Sequence, residues 1–200
     1  MLNQMIRGQW DRIMRPIGRA LGRTGVSPDT VTLLGVLIQV GAAWLILDGR
    51  LLLAGLVSIA AGISDVLDGA IAKAQGRTGK FGALLDSTTD RLVDALFFLP
   101  IAWLYSVSPD TPSHDVPWVA VVALVALVAG FLVSYIKARA ESLGFECDVG
   151  IAERAERVIV TIVALVFDIL QYVLPVLAFF SIVTALQRIF YVRAQSRRAA

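Results

Sequence analysis

Long apolar runs broken by short charged segments dominate the chain, and they set the expected elements. Apolar stretches from about Pro28 to Leu47, Leu51 to Ala74, Gly82 to Val107, Trp118 to Ala140 and Ile169 to Phe190 each have the length of a membrane-spanning helix. A further run follows Arg157 but meets Asp168 after ten residues, so a fifth span must extend backwards through the charged turn near Glu153. Residues 1–24 differ. Leu2, Met5, Ile6, Trp10, Ile13, Met14, Ile17 and Leu21 recur at helical spacing, with Arg7, Arg12, Arg15, Arg19 and Arg23 between them. That pattern predicts an amphipathic helix lying in the membrane interface. The expectation is an all-α integral membrane protein: an interfacial helix, then six transmembrane helices over about 28–190, in one domain spanning 1–200. Ser27-Pro28 reads as a cap and first helical position. Pro175 marks a kink in the last span.

Composition sharpens this picture. The 200 residues are 57% hydrophobic and 17% charged, with a mean hydropathy of +0.74. Both fractions lie away from the soluble norm, and disorder is excluded as well. Cys147 is the single cysteine, which excludes an internal disulfide and a cysteine-rich zinc site. With the N-terminus inside, every basic residue except Arg50 falls on the inner side, while the loop around Asp110, His114 and Asp115 carries no base. The positive-inside rule then predicts cytoplasmic N- and C-termini in a multi-pass cell-membrane protein. His114 reads as solvated, Cys147 as a loop thiol without a role, and Trp10, Trp44, Trp103 and Trp118 as interface anchors.

The informative residues are acids in the wrong solvent. A charge in the middle of a bilayer helix costs about 2.5–3.5 kcal/mol on insertion scales. Yet Asp65, Asp68, Asp86, Asp90 and Asp94 lie beside or within apolar helix. Positions 65 and 68 fall about 60° apart on a helix, and 86 and 90 about 40° apart. Joined by a loop of roughly ten residues, the two helices pack antiparallel and bring four carboxylates to the inner end. Such acids either protonate or bind cations. All-oxygen ligands favour Mg, Mn or Ca, and two divalent ions balance four carboxylates. The competing reading is a set of salt bridges to Arg91, Lys80 and Lys73. Asp94 has two readings, an outer acid of the cluster or a packing partner of Arg91. Gly69, Ala72 and Gly82 interleave with the acids and leave room for a ligand or a neighbouring helix.

Basic residues collect on the same predicted side. Ser134, Lys137 and Arg139 close the fourth span, Arg154 and Arg157 open the fifth, and Arg188 lies late in the sixth. Lys137, Arg157 and Arg188 are expected to meet beside the acids, where they suit an acceptor that is itself a phosphate. The plainer reading is the positive-inside bias with snorkelling side chains, and it accounts well for Arg193, Arg197 and Arg198.

Asp65-x-x-Asp68-Gly69-x-x-Ala72-Lys73, then eight residues and Gly82-x-x-x-Asp86-x-x-x-Asp90, resembles the signature of the CDP-alcohol phosphotransferases. The family usually has Arg where this chain has Lys73. The resemblance implies six transmembrane helices, a metal-dependent site at the cytoplasmic face and a homodimer. It also implies transfer of a phosphatidyl group from a CDP-linked lipid to an alcohol, with release of CMP. Carried across, Asp65, Asp68, Asp86 and Asp90 hold Mg2+, two ions being expected and Mn2+ serving as well, and Asp90 acts as general base. Pro28, Asp29, Thr30, Val31, Asp65, Gly69, Lys73 and Gly79 are similar to positions lining the CDP-lipid.

The second half resembles the actinobacterial branch that makes phosphatidylinositol phosphate. The implied partners are CDP-diacylglycerol, inositol phosphate and membrane lipid, with no nucleic acid among them. Lys137, Arg157 and Arg188 are then the residues that hold inositol phosphate, with Ser134, Arg139 and Arg154 in support. Three other readings stay open: a related transferase using glycerol phosphate, free inositol or serine; a divalent-cation channel or carrier; and a non-catalytic membrane scaffold, which has no need of four aligned acids. A carrier needs its acids near the membrane midplane, and these lie at one end.

Overall fold

The computed structural model describes Pro16, Ala20 and residues 25–76, 79–107 and 116–199. The expected interfacial helix over 1–24 therefore lies outside the described residues, apart from Pro16 and Ala20. Six helices follow: α1 Pro28–Leu47, α2 Leu51–Gln75, α3 Lys80–Val107, α4 Trp118–Ser142, α5 Arg154–Val166 and α6 Leu170–Ala199. No strand occurs among the described residues. Four helices, α1, α2, α4 and α6, are long and apolar enough to cross a membrane. Their apolar side chains are not confined to an inner stripe. Leu37, Trp44, Val121 and Phe179 all point outward, as a lipid-facing surface requires and a soluble amphipathic helix does not. Trp103 and Trp118 are exposed too.

Local chemistry explains the ends. The Ser27 hydroxyl accepts from the Thr30 amide at 3.2 Å, and Pro28 needs no amide partner in the first turn. α2 runs one residue past the expected Ala74, and α3 begins two residues before Gly82, so only residues 76–79 separate them. The connection is thus shorter than the loop of roughly ten residues expected from sequence. Gln75 donates to the Val26 carbonyl at 3.0 Å, tying the end of α2 to the approach to α1.

The fifth apolar segment departs most from expectation. α5 has 13 residues, about 20 Å at 1.5 Å per residue, against a hydrocarbon core of about 30 Å. It does not reach back through the turn near Glu153, because Glu153 is extended (φ −77°, ψ 179°) and the helix starts after it. α3 carries Asp86, Asp90 and Arg91 in its first half and Asp94 at its middle, which lowers its apolarity, and holds Pro100 within its second half. α6 continues well past Phe190 through Arg193, and Pro175 lies in its second turn.

The chain divides into two compact units. The first takes in the chain up to Ala42 with Leu56–Val93; the second takes in Ala43–Gly55 with the chain from Asp94 onward. In the second unit α4 packs chiefly along α6, and α5 packs on α6 as well. Their shared interior holds Ala123, Val133, Ala164, Leu174 and Thr184.

Candidate metal and phosphate sites

The first unit holds the signature acids. Helical spacing puts Asp65 and Asp68 one turn apart near the end of α2, and Asp86 and Asp90 one turn apart near the start of α3. Asp65, Asp86 and Asp90 each offer one carboxylate oxygen, and the three oxygens lie within 4.8 Å of one another. Two ligands on opposite sides of an ion at about 2.0–2.6 Å stand about 4–5 Å apart, so these side chains fit a divalent cation without backbone movement. Asp68 stands outside this trio. It is 6% exposed, and its Oδ2 accepts from the Thr32 hydroxyl of α1. That hydroxyl also lies 3.2 Å from the Pro28 carbonyl, in donor geometry. Sequence reasoning did not single out Thr32, whose only signal was its place four residues into a helix, beside the positions expected to line the CDP-lipid.

The salt-bridge reading holds for Arg91: its Nη1 lies 3.4 Å from Asp90 Oδ2 and donates to the Ser87 carbonyl at 2.8 Å. Pro28, Asp29, Thr30 and Val31 form the first turn of α1, Gly69 and Lys73 lie in the last turns of α2, and Gly79 immediately precedes α3. A Cβ added at Gly69, Gly79 or Gly82 meets nothing within 4 Å. There is open space along these positions.

The second unit holds the basic residues, gathered around the segment between α4 and α5. Lys137 Nζ lies 2.6 Å from Asp148 and 3.7 Å from Glu141. Arg188 of α6 donates to the Val149 carbonyl at 2.8 Å, to the Val133 carbonyl at 2.7 Å and to Glu153 at 3.2 Å. Arg157 Nη1 lies 3.5 Å from the Ala152 carbonyl, and Nη2 donates to Asp94 at 2.9 Å. This settles the two readings of Asp94 against Arg91: its partner is Arg157. The three cations thus border one short stretch, 148–153, and each carries a protein carboxylate. Their charges are therefore offset within the protein before any phosphate acceptor joins them. Of the supporting residues, Ser134 is half-buried, exposed Arg139 contacts Ser142 at 3.4 Å, and Arg154 opens α5.

Thr184 and Gln195 fasten the same stretch to α6. The Thr184 hydroxyl accepts from the amides of Ile151 at 3.2 Å and Ala152 at 3.0 Å. Gln195 and the Glu146 backbone exchange two hydrogen bonds. Positions 184, 188 and 195 recur at helical spacing on one face, a signal present in the sequence but hidden by its apolar surroundings. Cys147 is buried here. Burial pushes its thiol up, against the pull of Arg188 and Lys137.

Residues 25–191 match the CDP-alcohol phosphatidyltransferase family. A phosphatidylinositol phosphate synthase of Mycolicibacterium smegmatis is 39% identical over 94% of this chain and 87% of its own length. The crystal structure of the Mycobacterium tuberculosis phosphatidylinositol phosphate synthase with CDP-DAG bound superposes with a TM-score of 0.81 at 34% identity, covering 90% of this chain and 94% of that one. The same enzyme in complex with manganese and citrate gives 0.79 at 34% identity, over 90% of this chain and 88% of that one.

Proposed function

Since the chain belongs to the CDP-alcohol phosphatidyltransferase family, we propose that it is a phosphatidylinositol phosphate synthase. It transfers the phosphatidyl group of CDP-diacylglycerol to inositol phosphate and releases CMP. The observation that carries this reading is the convergence of Asp65, Asp86 and Asp90 from two helices onto one cation-sized space, in a chain alike along nearly its whole length to synthases of that name.

The roles follow from the chemistry. Asp65, Asp86 and Asp90 hold divalent metal, with Asp68 completing the set, and Mg2+ is the ion we assign, two per site. When bound, the metal draws charge off the diphosphate and off the leaving CMP. Asp90 accepts the proton of the acceptor hydroxyl. The acceptor oxygen forms a bond to the phosphatidyl phosphorus, and the bond from that phosphorus to the CMP oxygen breaks. Pro28, Asp29, Thr30, Val31, Gly69, Lys73 and Gly79 line the CDP-lipid. Lys137, Arg157 and Arg188 take the acceptor phosphate, with Ser134, Arg139 and Arg154 in support. Arginine presents a planar fork and five N–H donors, so one carboxylate partner leaves donors for a phosphate.

The same reading extends to placement. All six helices cross the membrane, the 13-residue α5 where the bilayer thins locally to match it; the amphipathic stretch 1–24 lies at its inner surface, both termini face the cytoplasm, and the active site opens to that side. Two chains form a homodimer. The deciding experiment measures CMP release from CDP-diacylglycerol by the purified protein, with inositol phosphate, glycerol phosphate or free inositol, with and without Mg2+. Metal-dependent release with inositol phosphate, little with glycerol phosphate and hardly any with free inositol is expected. Equal turnover with free inositol defeats the acceptor assignment.

A further inference from the structure

Asp94 lies one helical turn beyond Asp90 on α3, outside the acidic trio. In an otherwise apolar stretch Asp94 is 3% exposed, and its partner Arg157 is 2% exposed. The Asp94–Arg157 contact of 2.9 Å joins residues 63 apart in sequence. A guanidinium does not lose its charge on burial, so a buried arginine needs a counter-charge, and Asp94 supplies it. A second feature confines the same group. Gly130 of α4 lies flat against it: a Cβ at 130 would stand 3.1 Å from Arg157 Nε, 3.2 Å from Cζ and 3.3 Å from Nη2. The head is gripped by a carboxylate at Nη2, and the bare backbone of Gly130 covers its face across Nε, Cζ and Nη2, so that hydrogen bonding is left to its edge. Meanwhile Nε–H is buried without a hydrogen-bond partner, an uncommon condition for a buried donor.

We propose that Asp94 is a positioning residue for the acceptor. It fixes the Arg157 guanidinium in one orientation and leaves Nε–H as the donor that the acceptor phosphate takes up, while Gly130 provides the slot in which that orientation fits. The proposal rests on the reading of Arg157 as a phosphate ligand. It assigns no contact between Asp94 and any substrate.

The test compares the full-length enzyme with Asp94→Asn, Gly130→Ala, Arg157→Ala and the double variant Asp94→Asn/Arg157→Ala. CMP release is measured against inositol phosphate and, separately, against CDP-diacylglycerol. Asp94→Asn should raise the acceptor KM about tenfold, with the CDP-diacylglycerol KM and kcat within about twofold. Gly130→Ala alters neither charge and favours helix, and should raise the same KM about threefold through a displacement of a few tenths of an ångström. Asp94→Asn should add nothing to Arg157→Ala, because the group it positions is gone. An unchanged acceptor KM in Asp94→Asn, or an equal loss when that change is made on Arg157→Ala, overturns the proposal. If Asp94→Asn does not fold, Gly130→Ala decides, and an unchanged acceptor KM there overturns it. If Arg157→Ala itself leaves the acceptor KM unmoved, the phosphate-ligand reading fails, and the positioning role with it. If Arg157→Ala raises that KM while Asp94→Asn does not, the positioning role alone fails.

Discussion

The two charged regions of this molecule are assembled on opposite principles. In the first unit, three carboxylates from α2 and α3 gather like charge within 4.8 Å, an arrangement that favours a cation. In the second, three cations border residues 148–153, and each already has a carboxylate: Asp148 for Lys137, Asp94 for Arg157 and Glu153 for Arg188. The first region concentrates like charge that a cation would offset. The second is largely complete within itself, and its arginines hold the chain together as well as offering charge. Substitutions should therefore damage activity cleanly in the first region, and damage activity and stability together in the buried part of the second.

The largest effect is expected at the acids. Asp90→Asn should lower turnover about a hundred- to ten-thousand-fold, the range for losing a general base, while the thermal melt stays close to that of the parent. Near-normal turnover in the purified variant ends the assignment of Asp90. Chelation with EDTA should abolish CMP release in the parent, and added Mg2+ should restore it. Persistence of full activity in excess chelator would falsify the metal reading of the trio.

Next comes a contrast inside the basic region. Lys137 is partly open, its side chain 34% exposed, and its partner Asp148 is 84% exposed. Arg188 is 3% exposed and bonds two backbone carbonyls besides Glu153. Alanine at either position should raise the acceptor KM about ten- to a hundredfold, the worth of a charge-assisted contact. Lys137→Ala should leave the melt almost unchanged, because an exposed pair contributes about 0–1 kcal/mol. Arg188→Ala should lower the melting temperature by several degrees, because it takes a buried donor from two carbonyls and leaves Glu153 without this arginine. Equal melting of the two variants would erase the distinction between an open and an interlocked cation.

This contrast also marks what was legible in the sequence. The acids were legible because their pairing depends on one helical turn, and 65/68 and 86/90 are fixed by 3.6 residues per turn wherever the helices pack. The start of α1 was legible for the same local reason, through Ser27 and Pro28. Partners set by tertiary packing were not. Asp94 lies three residues, about one helical turn, from Arg91 in sequence, yet it pairs with an arginine 63 residues on. Thr32 reaches Asp68 across 36 residues. The length of α5 was misjudged because hydrophobicity after Arg157 says nothing about where the backbone turns before it. There, Thr184 holds the amides of 151 and 152 out of any helix.

A smaller effect is expected at Gly150, in the stretch that borders the cations. Its φ of +147° lies in backbone space reserved for glycine, and a Cβ would stand 2.6 Å from Thr184 Cγ2. Gly150→Ala should destabilise the protein by about 1–3 kcal/mol, read from the melt, with a modest rise in the acceptor KM and none in the CDP-diacylglycerol KM. A wild-type melt would show that the 148–153 stretch does not depend on this glycine.

The smallest effect belongs to Lys73, where the resemblance leads one to expect arginine. Lys73 lies in the last turn of α2 and is exposed. Its charge suits a helix C-terminus whether it is lysine or arginine, so the exchange costs the helix little. What differs is the head. Lysine offers a compact point charge, whereas arginine offers a planar fork that engages a phosphate with two bonds at once. If the site is shaped for the family's usual residue, Lys73→Arg should lower the KM for CDP-diacylglycerol by about two- to fivefold, a fraction of one charge-assisted contact. The acceptor KM, set in the other region, should not move. The measurement is a pair of substrate titrations on one variant. Loss of all activity would mean that the surroundings of position 73 have been reshaped around lysine, and the family's role for this position would not transfer to this chain.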